Sequence, residues 1–268
     1  MLVQQRLLER VGQLCRDDPR LVAALTYGSF VSGEADAHSD VEFWLFVDPA
    51  ATLDARAWLA DVGELRHVVV NEFGAHVAFF PGLVRGEFHF ATAGEISSVR
   101  AWPARSGPAD RMIVVDRTGE LRRALDSLPD QPDTPTTPDE IGELCGRFAN
   151  WLTLAHHVTC RGELLRAVDA LTHTQRHLLW MVRLAGDSTQ HWLTPSRRAE
   201  ADLPAEVVRA LHGTTATADR RSLEQALVTA WGVGRGAWQQ LAGRHGFALP
   251  AALFRELDQR LSGSASQS

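Results

Sequence analysis

The chain has 268 residues, of which 45% are hydrophobic and 22% are charged, and its net charge at pH 7 is −6. This length and composition are typical of a folded protein with enough apolar side chains for two domains. All 27 basic residues are arginines, which excludes a Walker-type phosphate loop, a Schiff-base enzyme and a lysine nucleophile. The acidic excess falls in residues 1–130, so neither half of the chain has the positive charge of a nucleic-acid-binding protein.

The sequence shows no pattern of a membrane span or a secretion signal. No run reaches the roughly 18 apolar residues that a spanning helix needs, and Arg6, Glu9 and Arg10 interrupt the apolar positions near the start. The three cysteines are scattered and lack the spacing of metal ligands. These features predict a cytoplasmic protein whose partners are neither nucleic acids nor membranes.

Helices and strands alternate in the predicted elements of the first half. Apolar residues recur every three or four positions in a helix and every second position in a strand, and turn residues separate the elements. The predicted elements are a helix over 2–16, strands over 21–27 and 41–47, a helix over 54–65, a hairpin over 67–80 and a strand over 86–90.

The second half has a different pattern. Four prolines fall within residues 129–138, which predicts a stiff linker. The apolar periodicity that follows is almost wholly helical, and the serine-rich residues 262–268 predict an unstructured tail. We therefore predict a first domain over residues 1–130, a linker over 131–138 and a helical domain over 139–268.

Residues with distinct chemistry flank the turn between the first two predicted strands. Gly28 and Ser29 follow the first strand, and Asp40 and Glu42 open the second. Because side chains alternate along a strand, Asp40 and Glu42 point to the same face. Two neighbouring carboxylates in a partly dry site repel each other unless a cation lies between them. Hard oxygen ligands with room for substrate phosphates suit Mg²⁺.

The glycine and the serine extend this interpretation to a nucleotide. Gly28 lets the backbone approach a phosphate closely, and Ser29 adds a hydroxyl at a turn that is predicted to open a helix. Together with the acids they predict a site that transfers part of a nucleotide. On these residues alone, a chance match or solvated acids at a sheet edge stay open as alternatives.

These residues resemble the signature of the DNA-polymerase-β-like nucleotidyltransferase superfamily. The resemblance implies an α+β fold, in which a mixed sheet with flanking helices is followed by an all-α helical bundle. The signature is carried by Tyr27-Gly28-Ser29-Phe30, Gly33-Glu34 and Ser39-Asp40-Val41-Glu42-Phe43. The resemblance narrows to the larger, two-domain lincosamide nucleotidyltransferases through Asn71-Glu72-Phe73-Gly74 and residues 83–90. The helical domain of that family is resembled by the second half, including Asn150-Trp151 and Arg161-Gly162-Glu163.

The same resemblance implies an activity and a set of site residues. The activity is transfer of AMP, or another nucleoside monophosphate, from ATP or another triphosphate to a hydroxyl of lincomycin or clindamycin, with Mg²⁺ as the metal. The enzyme would inactivate the antibiotic, act as a homodimer and have its active site between the two domains. The implied catalytic metal ligands are Asp40, Glu42 and Glu87, and the implied nucleotide-binding residues are Gly28, Ser29, Ser39 and Arg85.

Glu87 is also the candidate base, because a sugar hydroxyl has a very high pKa and needs help to lose its proton. His89 shares the face of Glu87, and a structural hydrogen bond is favoured over a catalytic role for it. The roles of His156, His157 and Glu163 stay open.

Two other functions stay open as well. One is a nucleotidyltransferase for another acceptor, such as an aminoglycoside, whose positive charges would need a ring of acids. The other is a non-catalytic nucleotide-binding module, which would be expected to lack one of the carboxylates.

Overall fold

The structure is a computed structural model that describes residues 1–262 and divides into two units between Pro132 and Asp133. The predicted tail, apart from its first residue, lies outside the described residues. Among the described helices, none combines the length and the apolar character needed to cross a membrane.

Six strands form one mixed sheet in the first unit. In chain order the strands are β1 (Leu21–Thr26), β2 (Val41–Val47), β3 (His67–Val70), β4 (His76–Phe80), β5 (Val84–Thr92) and β6 (Ile113–Asp116). Across the sheet their order is β3-β4-β5-β2-β1-β6. The pair β2 and β5 is parallel, and every other neighbouring pair is antiparallel.

Helices and turns cover both faces of this sheet and create two apolar cores. One core contains Phe43 and Phe88, whose rings stack with centroids 5.5 Å apart, and the other contains Leu25 and Phe46. The covering elements are α1 (Val3–Asp17), α2 (Ser29–Ser32), α3 (Ala55–Val62), α4 (Ala109–Met112), α5 (Glu120–Asp126) and the 3-10 segments Pro81–Leu83 and Ala93–Ala101.

Strand alternation in β2 separates the apolar and the polar side chains near its start. Val41, Phe43 and Leu45 are buried in the first core, so Glu42 and Trp44 point to the opposite face. The sheet thereby presents the Glu42 carboxylate at one end of the face that carries the second core.

The second unit is helical, and all regular elements in residues 133–262 are helices. The three longest helices pack around one apolar core, and the last helix packs on them through Phe254, which contacts Trp231 and Trp238 edge to face. The predicted fold class, a mixed sheet with helices followed by an all-α region, is confirmed. The helices are α6 (Pro138–Cys160), α7 (Leu164–Ala185), α8 (Ala199–Asp202), α9 (Ala205–His212), α10 (Arg220–His245) and α11 (Ala251–Ser262).

A fully buried arginine organises the loop after α7. Arg183 donates from Nε to the Pro195 carbonyl at 2.7 Å and from its terminal nitrogens to the Arg197 carbonyl at 2.6 Å and to Asp202 at 3.2 Å. His191 also lies 2.6 Å from Asp202. A buried charge is tolerated only when its hydrogen bonds are satisfied, so this network holds the loop in one conformation.

Close packing of α10 on α6 predicts a stability difference between two glycines. A Cβ at Gly234 would lie 2.2 Å from the ring of Phe148, whereas a Cβ at Gly236 would meet nothing within 4 Å. Overpacking costs about 1–3 kcal/mol, and alanine gains about 1 kcal/mol over glycine inside a helix. We expect Gly234→Ala to lower the melting temperature measured by circular dichroism and Gly236→Ala to raise it. Equal effects of the two substitutions would contradict this packing.

Candidate functional site

Gly28 lies at the end of β1 and directly against Glu42. The amide of Tyr27 and the hydroxyl of Thr26 donate to the Glu42 carbonyl at 3.2 and 2.9 Å, which holds this end of β1 against β2. Gly28 has a φ of +78°, and a Cβ at this position would lie 1.7 Å from Glu42 Oε2. Glycine is therefore required both by the backbone conformation and by the carboxylate beside it.

The same glycine begins the short helix α2. Its carbonyl accepts hydrogen bonds from the amides of Val31 and Ser32 at 3.2 and 3.1 Å. Ser29 is the first helical residue and is half-buried. The predicted turn that opens a helix after Gly28 is present.

Two of the three predicted carboxylates pair with one arginine, and the third, Glu42, is the strand partner of Glu87. Glu42 and Glu87 are direct neighbours in the parallel register of β2 and β5, and their side chains therefore lie on the same face. The Arg85 guanidinium donates one hydrogen bond to Asp40 and another, of 2.7 Å, to Glu87 Oε2. The structure thus brings together Asp40, Glu42, Glu87 and Arg85.

This group of oxygen atoms has the chemistry of a cation site. The guanidinium lies between Asp40 and Glu87, where it supplies the positive charge that two nearby carboxylates require. Within residues 1–262, no three His, Cys, Asp or Glu side chains are grouped so that they could hold a metal ion. Mg²⁺ is commonly bound by one or two carboxylates together with substrate phosphates and water. The donor set therefore fits Mg²⁺ that arrives with a nucleotide.

The loop before Asp40 is held by Ser39 and by a residue that the sequence analysis missed. The Ser39 hydroxyl donates to Asp36 Oδ1 at 3.2 Å and accepts from the Asp36 amide at 3.0 Å. Gln4 of α1 is buried and donates to the carbonyls of Ala37 and Ser39 at 2.8 and 3.3 Å. If the Ser39 hydroxyl donated a hydrogen bond to a nucleotide, its hydrogen bond to Asp36 would have to break. The one sequence signal that points to Gln4 is its position as a polar residue on the buried face of α1.

An aromatic cluster adjoins Glu87 on the same face of the sheet. His89 Nε2 lies 3.2 Å from Glu87 Oε1, and its ring stacks on Trp44 with centroids 4.3 Å apart and planes 5° apart. Trp102 contacts Trp44 and Tyr27 edge to face, with centroids 5.9 Å apart in both pairs. The sequence analysis missed Trp44, Trp102 and Tyr27, because their grouping depends on strand pairing and on the 3-10 segment.

The electrostatic effect of the carboxylates reaches Tyr27. Burial raises the pKa of its phenol, and the negative charges of Glu42 and Glu87 raise it further. Tyr27 is therefore a neutral side chain that can donate a hydrogen bond, and it is no source of a phenolate at neutral pH.

The residues of the second unit whose roles were open make local contacts. His156 Nε2 and Cys160 Sγ, one helical turn apart, are separated by 3.7 Å, and burial lowers the pKa of His156. Glu163 accepts from Arg166 at 3.0 Å, and His157 is exposed. These contacts assign them no chemical role.

Comparison with known families finds a match within the second unit. Residues 137–260 match the family model described as "Lincosamide nucleotidyltransferase-like, C-terminal domain". This match confirms the predicted resemblance. None of the curated proteins compared with the chain matches it.

Three of the similar solved structures illustrate how distant these likenesses are in sequence. An aminoglycoside 6-adenyltransferase from Bacillus subtilis is 13% identical, with 98% of each chain covered and a TM-score of 0.46. A nucleotidyltransferase-like protein from Exiguobacterium sibiricum 255-15 is 11% identical, with 97% of this chain and 88% of that chain covered and a TM-score of 0.34. The Thermotoga maritima CCA-adding enzyme complexed with tRNA is 13% identical, with coverages of 99% and 74% and a TM-score of 0.34.

The contact between Gly28 and Glu42 predicts an unequal effect of alanine at two glycines. Gly28 and Gly33 both have a positive φ, and a Cβ at Gly33 would meet nothing within 4 Å. The backbone strain of about 1–2 kcal/mol is common to both substitutions, whereas overpacking adds about 1–3 kcal/mol only at Gly28. We expect Gly28→Ala to lower the free energy of unfolding, measured in urea, by more than Gly33→Ala. An equal loss would contradict the position of the Glu42 carboxylate.

Proposed function

We propose that the chain transfers AMP from ATP to a hydroxyl of a lincosamide such as clindamycin, a function supported by the match of residues 137–260 to the lincosamide nucleotidyltransferase-like C-terminal domain. The observation that supports this function most strongly is the Arg85 guanidinium bonded to Asp40 and Glu87. Beside it, Glu42 pairs with Glu87 in the sheet and lies against Gly28. A carboxylate pressed against a glycine turn, next to two further acids, is a site for a cation and a phosphate chain.

The first unit binds the nucleotide in this proposal. The backbone of Gly28 and the hydroxyl of Ser29 bind the phosphates, and Arg85 supplies a positive charge to them. Asp40 and Glu42 hold Mg²⁺, with Glu87 as the third carboxylate. When bound, Mg²⁺ neutralises charge on the phosphates and draws electron density from the phosphorus that is attacked.

Glu87 prepares the acceptor in the same proposal. Its carboxylate accepts the proton of the antibiotic hydroxyl as the oxygen forms a bond to the α-phosphorus of ATP. The bond from that phosphorus to the bridging oxygen of the β-phosphate breaks, and pyrophosphate leaves with the electron pair. Asp40, Glu42 and Arg85 keep the reacting groups aligned and their charges balanced.

A mass-spectrometric assay tests the acceptor class. The protein is incubated with ATP and Mg²⁺ in separate reactions with lincomycin, clindamycin and kanamycin. The proposal expects a mass gain of one AMP on a lincosamide and none on kanamycin. A gain on kanamycin alone would replace the lincosamide by an aminoglycoside, and no gain on any of the three would contradict the enzymatic function. Parallel reactions with CTP, GTP and UTP measure the nucleotide preference.

The proposal includes a homodimer, which follows from the family resemblance, and a cytoplasmic location, which follows from the scattered cysteines. Light scattering coupled to size exclusion measures the first, and a monomer at assay concentration would contradict it. Fractionation of the host cell measures the second.

Loss of either Asp40 or Glu42 should abolish transfer without unfolding the protein. Asp40→Asn and Glu42→Gln each remove a negative charge with little change in volume, so we expect AMP transfer to fall by at least about 100-fold. Glu64→Gln, which changes an exposed acid paired with Arg66, serves as the matched control and should transfer normally. Near-normal turnover of Asp40→Asn or Glu42→Gln would contradict the assignment of the metal ligands.

Loss of the proposed base should affect catalysis more than nucleotide binding. Glu87→Gln keeps the shape of the side chain but cannot accept the acceptor proton, so kcat should fall by about 100- to 10,000-fold. The dissociation constant for ATP, measured by calorimetry with Mg²⁺, should change far less. Equal losses in both quantities would indicate a binding role for Glu87.

A further inference from the structure

We propose that His89 is a positioning residue that fixes the direction of the Glu87 carboxylate, and that Trp44 fixes His89 in turn. This inference rests on the proposed function, because it assigns Glu87 a role whose geometry matters. His89 itself acts through Glu87 and needs no contact with either substrate.

The spacing along β5 places three chemically complementary side chains on one face. Arg85, Glu87 and His89 are separated by two residues each, so their side chains point the same way. Arg85 donates to Glu87 Oε2 at 2.7 Å, and His89 Nε2 lies 3.2 Å from Glu87 Oε1. Both oxygens of one carboxylate are therefore held by neighbours on its own strand.

The donor in the second contact follows from the chemistry of the carboxylate. An ionised carboxylate only accepts hydrogen bonds, so Nε2 of His89 carries the proton that is shared with Glu87 Oε1. The hydrogen bond therefore requires a proton on Nε2, which excludes the tautomer that is protonated only on Nδ1. The bond keeps the carboxylate from rotating about its last side-chain torsion, which is soft in glutamate.

Stacking on Trp44 keeps the imidazole in the position that this bond requires. Trp44 is the register partner of His89 across β2 and β5, and the two rings are 4.3 Å apart and almost parallel. Only 14% of the His89 side chain is exposed. Tyr27 and Trp102 lie beside the pair, so the ring has little room to turn away from Glu87.

Two substitutions of His89 distinguish the effect of its hydrogen-bond donor from the effect of its side-chain volume. We expect His89→Ala to lower kcat for AMP transfer by about 10- to 100-fold, the range associated with a small misplacement of a reacting group, while KM for ATP changes less than about threefold. His89→Gln retains an N–H donor of similar reach, so its loss in log kcat should be at most half of the loss caused by His89→Ala. Trp44→Leu should lower kcat in the same direction because it frees the imidazole.

A double-mutant cycle shows whether His89 acts through Glu87. If it does, His89→Ala should lower kcat by less than about twofold in a Glu87→Gln background, because the residue that it positions is already inactive. A multiplicative loss of 10-fold or more in that background would overturn the proposal.

The second unit offers a matched control. His173 stacks on Trp151 with centroids 4.1 Å apart and planes 16° apart, so His173→Ala removes a comparable stacked imidazole that has no hydrogen bond to Glu87. We expect this variant to keep the kcat of the wild type. A loss equal to that of His89→Ala would show that the kinetic effect reports general damage to the fold and would overturn the positioning role.

The outcomes distinguish this inference from the proposed function. A wild-type protein that transfers AMP, with a His89→Ala variant equally active, overturns only the role of His89. A wild-type protein that transfers AMP to none of the acceptors overturns the function and the inference with it. Nitrogen-resolved NMR of the imidazole gives a readout besides activity, because the Nδ1–H tautomer of His89 would contradict the hydrogen bond to Glu87.

Discussion

Mutual repulsion between carboxylates is the constraint that shapes the first unit. The parallel pairing of β2 and β5 sets Glu42 directly beside Glu87, and like charges that face each other across strands destabilise a sheet. The arrangement is tolerated because Arg85 supplies a cation between Asp40 and Glu87. These acids on a half-buried face cost stability, which is typical of functional sites.

Arginine meets the need for concentrated positive charge in both units. A planar guanidinium donates in several directions at once, which an ammonium group cannot do in the same geometry. Arg85 bridges two side-chain carboxylates, whereas Arg183 satisfies backbone carbonyls and Asp202 in the interior of the second unit. A chain without lysine therefore uses one chemical group both for a candidate active site and for a buried loop anchor.

Local sequence patterns predicted the fold class and most strands, whereas contacts across the sheet depended on topology. β2 was predicted with its observed bounds, because Val41 to Val47 alternate and are strongly β-forming. β6 was missed because four residues are too few to show a period. The convergence of Glu87 and Arg85 on Asp40 needed the parallel pairing of segments 45 residues apart, which no local pattern encodes. The roles of the site residues remain predictions.

The buried Gln4 ties the beginning of the chain to the chemistry. Its side chain joins the first turns of α1 to the carbonyls of Ala37 and Ser39, immediately before Asp40. The amino-terminal helix is thus a structural support of the acidic loop as well as a cover for the sheet. Removing its first turn, or placing a bulky group beside it, would loosen the segment that presents Asp40.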